Sequence, residues 1–114
     1  MAKYERQFRG DFEACLAVCE DVIKKSSLSV SFEDASDIVS QQTQVAVRVY
    51  ERYSVTGGNR TSLNITLVGL GQQLIMSVVI TSGGSRGIMS KYNTWGEQNF
   101  LKDFVKEFEV QYPQ

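Results

Sequence analysis

Apolar and polar positions alternate with the period of a strand along most of the chain, and switch to a helical period twice. Tyr4 to Arg9 reads as a short strand with Tyr4 and Phe8 on one side, ended by Gly10. Asp11 is suited to cap a helix, and Phe12, Cys15, Leu16, Cys19, Val22 and Ile23 then recur at helical spacing. Glu13, Glu20, Asp21 and Lys24 take the opposite side, and the Lys24-Lys25 pair suits the negative end of the helix dipole. Next, Leu28, Val30 and Phe32 alternate with serines, which predicts a half-buried strand over 26–33. Residues 34–42 are polar and irregular, and read as a loop or a weak edge segment.

Residues 44–53 and 62–68 predict a central hairpin. Val45, Val47 and Val49 face one way on its first arm, and Leu63, Ile65 and Leu67 do so on its second. The valine side is expected to be the core side. Gly69-Leu70-Gly71 turns the chain into a strand over 73–81, with Leu74, Met76, Val78 and Ile80 inward and Ile75 and Val79 on a partly apolar outer face. Residues 88–92 read as one more short strand. Thr94 and Glu97 fit a capping box ahead of Phe100, Leu101, Phe104, Val105 and Phe108 at helical spacing, and Trp95 is expected to anchor that helix. The predicted fold class is α+β. An antiparallel meander of about five or six strands carries an N-terminal and a C-terminal helix on one face, in the order β-α-β(4-5)-α.

A length of 114 residues suits one domain, 1–114, able to bury a core without disulfides or metals. Lys plus Arg is 12 and Asp plus Glu is 13, so no basic excess points to nucleic acid. The chain has no histidine, which excludes Ser-His-Asp and Cys-His mechanisms and removes the commonest zinc ligand. Cys15 and Cys19 lie four apart on one helix face, a spacing that fits buried core thiols better than a disulfide. Glu33, Asp34 and Asp37 lack the spacing of a calcium loop and read as a solvated turn. No metal or cofactor is expected. The N-terminus lacks a signal-peptide pattern and no apolar stretch has the length of a membrane span, so the expected location is the cytoplasm.

The candidate chemistry lies on the sheet and its loops. Arg48, Tyr50 and Arg52 alternate on the side of the first hairpin arm opposite the valines, and are expected to form an open, ligand-facing surface with Asn64 and Thr66 as cross-strand neighbours. Glu51 falls on the expected core side, paired with Arg60 or Lys91. Two Gly-rich turns each end in an arginine: Gly57-Gly58-Asn59-Arg60, and Ser82-Gly83-Gly84-Ser85-Arg86. Their backbone N–H groups and arginines are suited to cradle an anion, although neither has the spacing of a P-loop or a dinucleotide fingerprint.

The leading functional expectation is a non-catalytic module that binds a protein partner, or a second copy, through the open sheet face and the Gly-rich loops. The alternative is a binder of a small anionic metabolite or nucleotide phosphate through Arg60, Arg86 and Arg52. An enzyme ranks third, because no set of titratable groups converges in the sequence.

The strings Ser31-Phe-Glu-Asp-Ala-Ser-Asp37, Val47-Arg-Val-Tyr-Glu-Arg-Tyr53, Thr56-Gly-Gly-Asn-Arg60, Thr81-Ser-Gly-Gly-Ser85 and Asn93-Thr-Trp-Gly-Glu97 together resemble a family of short bacterial proteins catalogued only as a domain of unknown function. The resemblance runs over almost the whole chain. It implies a bacterial, cytosolic single domain and supplies no activity, cofactor or site.

Overall fold

The computed structural model describes residues 2–27, 29–53, 60–71, 73–83 and 90–114, with the backbone alone at 81–83 and 90–99. Strand β1 (Ala2–Arg9) leads into helix α1 (Phe12–Ser26). Strands β2 (Ser31–Ser40), β3 (Thr43–Tyr53), β4 (Arg60–Leu70) and β5 (Leu74–Gly83) follow, and helix α2 (Ser90–Gln111) closes the chain. The fold is α+β: a five-stranded sheet in the order β1-β5-β4-β3-β2, antiparallel at every pairing, and two helices.

Local chemistry sets these boundaries. The Asp11 carboxylate accepts a hydrogen bond from the Ala14 N–H at 2.8 Å, satisfying a donor that the first turn of α1 leaves free. At the far end Lys24 and Lys25 meet the negative end of the dipole. The β2–β3 turn puts Gln41 in the left-handed region at φ 54, and the β4–β5 turn puts Gly71 there at φ 71. Only at Gly71 does the sequence supply the residue that adopts this conformation without a Cβ penalty.

One apolar cluster joins the layers. Cys15, Leu16, Cys19, Val22 and Ile23 of α1 meet Phe100, Leu101, Phe104 and Phe108 of α2. From the sheet come Ala46 and Tyr50 of β3, Leu63, Ile65 and Leu67 of β4, and Ile75 and Val79 of β5. Burying a large apolar side chain contributes roughly 1.5–3 kcal/mol each before the entropy of ordering is subtracted. Both cysteines are free and fully buried. The end of α2 is fastened to β1: Phe8 packs on Phe108 and Tyr112, the Arg6 guanidinium donates to the Tyr112 carbonyl, and the Tyr4 hydroxyl donates to Glu109 at 2.9 Å.

Gly69 is built into this core. A Cβ at that position would stand 2.7 Å from Cδ2 of the Phe12 ring, so glycine lets the start of α1 lie directly on β4.

Several local expectations are corrected. Of the two readings of residues 34–42, a loop or a weak edge segment, the second holds at 34–40: β2 is an edge strand over Ser31–Ser40 with a bulge between Phe32 and Asp34, so the strand expected over 26–33 starts only at Ser31. Every residue of β2 is exposed, so no apolar alternation marks it in the sequence. The strand expected at 88–92 does not form at Ser90–Tyr92, which begin α2. Ile88 and Met89 lie outside the described residues. Thr94 is consequently one turn inside the helix rather than at its cap.

The largest correction concerns which side of each strand is buried. On β3 the cluster takes Ala46 and Tyr50, with Arg48 buried between them, and leaves Val45, Val47 and Val49 on the other side. On β5 it takes Ile75, Ser77 and Val79, and leaves Met76, Val78 and Ile80 half-buried. The cause is register. Leu63, Ile65 and Leu67 are the unambiguous apolar side of β4, and they stand opposite Tyr50, Arg48 and Ala46 on one flank and Thr81, Val79 and Ser77 on the other. Antiparallel partners share a face, so the β4 leucines decide both neighbours.

Two outcomes follow from this packing. Gly69→Ala forces the Phe12 ring to move and is expected to destabilise the fold by about 1–3 kcal/mol in urea unfolding. The loss should shrink in a Phe12→Ala background, since the two sites touch. The second outcome concerns alkaline pH. Burial raises the phenols of Tyr4 and Tyr50, and pushes Tyr112 from 10.0 up to about 12. An unfolded chain releases these protons first, so the stabilisation is complete below about pH 10 and is lost as pH rises towards about 12. Urea midpoints measured at about pH 8 and about pH 11 should fall less for Tyr112→Phe than for the parent chain.

Candidate functional site

Period-two geometry gives the sheet a second face that contributes no side chain to the core cluster. Strand pairing lays it out in rows. One row runs Asp34, Val49, Asn64, Ile80, Lys3 from β2 across to β1. The next runs Ser36, Val47, Thr66, Val78, Glu5, and a third runs Ile38, Val45, Val68, Met76, Gln7. Ser40, Thr43, Leu70, Leu74 and Arg9 complete the set. β3 and β5 therefore present apolar side chains on either side of Asn64, Thr66 and Val68 of β4, and apart from Ile38 the facing positions of the two edge strands are polar or charged. The valines of β3 and Met76, Val78 and Ile80 of β5 are half-buried, while Ile38 stands 57% exposed.

At one end of this face Arg60 pairs with Glu51 and lies over the Tyr53 ring, its guanidinium carbon 5.1 Å from the centroid. Glu51, expected on the core side either as a strand end or paired with Arg60 or Lys91, lies with the valines on the side away from the core cluster, paired with Arg60. Of the three arginines expected on the open surface or its loops that the structure describes, Arg60 alone sits on this side.

Arg48, Tyr50 and Arg52 are on the opposite side, against the helices, and the expectation that they form an open surface is corrected. Arg48 is 8% exposed. Its Nε donates to Glu20 of α1 at 3.0 Å, its Nη2 lies 3.0 Å from Asp37 of β2, and Nη1 donates to the Val47 carbonyl at 2.9 Å. Burial works against the Arg48 charge, but the Glu20 and Asp37 carboxylates outweigh it and hold the guanidinium above its ordinary value. Arg52 donates to Asp103 of α2 at 3.0 Å and lies 4.3 Å over the Phe100 ring. Tyr50 is 1% exposed with Phe32 packed edge-on against it. Asn64 and Thr66 neighbour Val49 and Val47, not the arginines.

The Gly-rich loops divide differently. Ser82 and Gly83 end β5 opposite Ser62 and Thr61, and only their backbone is described. Gly84, Ser85 and Arg86 lie outside the described residues, as do Gly57, Gly58 and Asn59. Among the described residues no three His, Cys, Asp or Glu side chains gather in a way that would hold a metal ion. Nor is any helix among them long and apolar enough to cross a membrane. A groove of ≈ 440 Å³ between the outer sides of α1 and α2 is lined by Asp21, Lys25, Asp103, Lys106 and Glu107, a mixture of signs that selects neither anion nor cation.

The apolar face escaped sequence reasoning because its valines look like core. The signal that finds it is the pairing sum across the β3–β4 hairpin, which sets Val47 opposite Thr66 and Val49 opposite Asn64.

The buried placement of Arg48 has a measurable consequence. Arg48→Ala removes a charge-assisted contact to each of two elements and should destabilise by about 1–3 kcal/mol. A solvent-facing arginine would change stability by no more than about 0.5 kcal/mol. Chemical denaturation separates the two cases.

No curated protein and no solved structure matches this chain. A family model matches residues 1–112, and the chain belongs to that family of unknown function, DUF6054.

Proposed function

We propose that this protein is a non-catalytic interaction module, in which both helices cover one side of the sheet and the valine-rich side binds a second copy of the chain. The observation that supports this reading is a set of seven apolar side chains of β3, β4 and β5, from Val45 to Ile80, which flank Asn64 and Thr66 and which no element of the chain covers among the described residues. Patches of this kind on a folded monomer mark contact surfaces.

Size favours a second copy. Five strands about 4.8 Å apart and about ten residues long make a face of roughly 24 by 33 Å, or about 800 Å². That is close to the roughly 800 Å² per partner of a standard specific interface. Shape favours it too, because two sheets stack about 10 Å apart with their inner side chains interleaved. The exposed β2 edge is a poorer surface for association: it carries a bulge between Phe32 and Asp34 and the carboxylates of Glu33, Asp34 and Asp37, devices that discourage edge-to-edge pairing.

Size-exclusion chromatography with light scattering tests the reading. The expected result is a particle of twice the chain mass at micromolar concentration. Val47→Lys, at the middle of the β3 valines, should give a monomer with an unchanged far-ultraviolet circular dichroism spectrum. A dimer that survives Val47→Lys would move the contact elsewhere and overturn the open-face reading.

A further inference from the structure

Resting on that open-face reading, we infer that the two copies stack about a two-fold axis parallel to the strands, so that β1 of each lies over β2 of the other and Lys3 faces Asp34 across the interface. Identical faces that close into a dimer are related by a two-fold axis lying in the interface. Sheets in aligned stacking keep their strands within about 30° of one another. Two axis directions meet that condition: along the strands or across them.

An axis along the strands, centred on β4, superposes each row on its own reverse. Ile80 then lies over Val49, Val78 over Val47 and Met76 over Val45, apolar on apolar, while on the axis Asn64 meets Asn64 and Thr66 meets Thr66, polar on polar. The same operation carries Lys3 over the Asp34 end of the row, twice per dimer. Lys3 has Glu5 at 4.0 Å and both remain more than half exposed, so its ammonium is accessible to a partner.

An axis across the strands superposes β1 on β1. It sets Lys3 against Arg9 and polar Asn64 against Leu70. A like-charge contact and a polar group facing an apolar one both disfavour this alternative. The arrangement of charges on the edge strands therefore selects between two otherwise equivalent ways of stacking the same face.

Charge reversal tests the orientation on the full chain. Lys3→Glu and Asp34→Lys alone each place two like-charge contacts in the homodimer and should weaken self-association by about tenfold, read by sedimentation equilibrium. Mixing the two variants in equal amounts should restore dimer, because each mixed pair contains two opposite-charge contacts. Recovery on mixing also shows that both variants are folded. A dimer indifferent to both reversals, or one tightened by Lys3→Glu, overturns this orientation and leaves the open-face reading standing. A parent chain that stays monomeric at every concentration overturns both.

Discussion

A strand has two faces, and the buried guanidinium of Arg48 settles which one this sheet gives to its helices. With its charge held between Glu20 of α1 and Asp37 of β2, Arg48 ties the first helix to the edge strand through the middle of β3. The arrangement is tolerable because the guanidinium is fully partnered while both carboxylates keep some contact with water. Its aliphatic stem adds apolar area beside Tyr50 and Ala46. Had β3 been paired one residue out of register, Arg48 would point outward and the valines inward, and every neighbour would change face with them. The long charged side chain thus acts as a register mark for the central hairpin.

That mark is also what makes the sequence misleading. The helices were legible: α1 has six apolar residues at helical spacing and a capping aspartate, and α2 has its phenylalanine stripe. Strand existence was legible for β1, β3, β4 and β5, because Gly and short polar turns punctuate them. Facing was legible for β1, where Tyr4 and Phe8 share the side packed on the core, and for β4, where Leu63, Ile65 and Leu67 alternate with Asn64 and Thr66. On β3 three valines compete with Ala46, Arg48 and Tyr50, and a rule that ranks side chains by hydrophobicity chooses the valines. On β5 both phases are apolar, and the buried one includes the small polar Ser77. Pairing resolves these cases where composition does not, since Ile65 lies opposite both Arg48 and Val79.

β2 was only half legible, for a different reason. A strand exposed on both sides has no burial pattern to read, so residues 34–40 read equally as loop or as weak edge segment. Its charges, taken from the sequence as a solvated turn, have separate roles in the fold. Asp37 partners Arg48 on the helix side, whereas Asp34 stands opposite Val49 on the far side. Two carboxylates three residues apart therefore belong to different surfaces, one internal and one external. The site shifted in the same way. Arg48 and Arg52, which looked like ligand contacts, pair with carboxylates of other elements, and the valines that looked like core are half-buried on the far face.

The valines outside the core explain why a sheet of this composition has apolar residues on both sides. A five-stranded antiparallel sheet with one solvated face ordinarily carries polar residues there, as β1 does with Lys3, Glu5, Gln7 and Arg9. β3 and β5 depart from that rule, while β4 between them keeps it at Asn64 and Thr66 and departs at Val68. Among the described residues Val45, Val47 and Val49 stand outside the core cluster and are half-buried. The inner face carries Arg48 among its apolar residues, and the outer face sets its own apolar side chains between edge strands that carry Lys3, Glu5, Gln7 and Arg9 on one flank and Asp34 and Ser36 on the other.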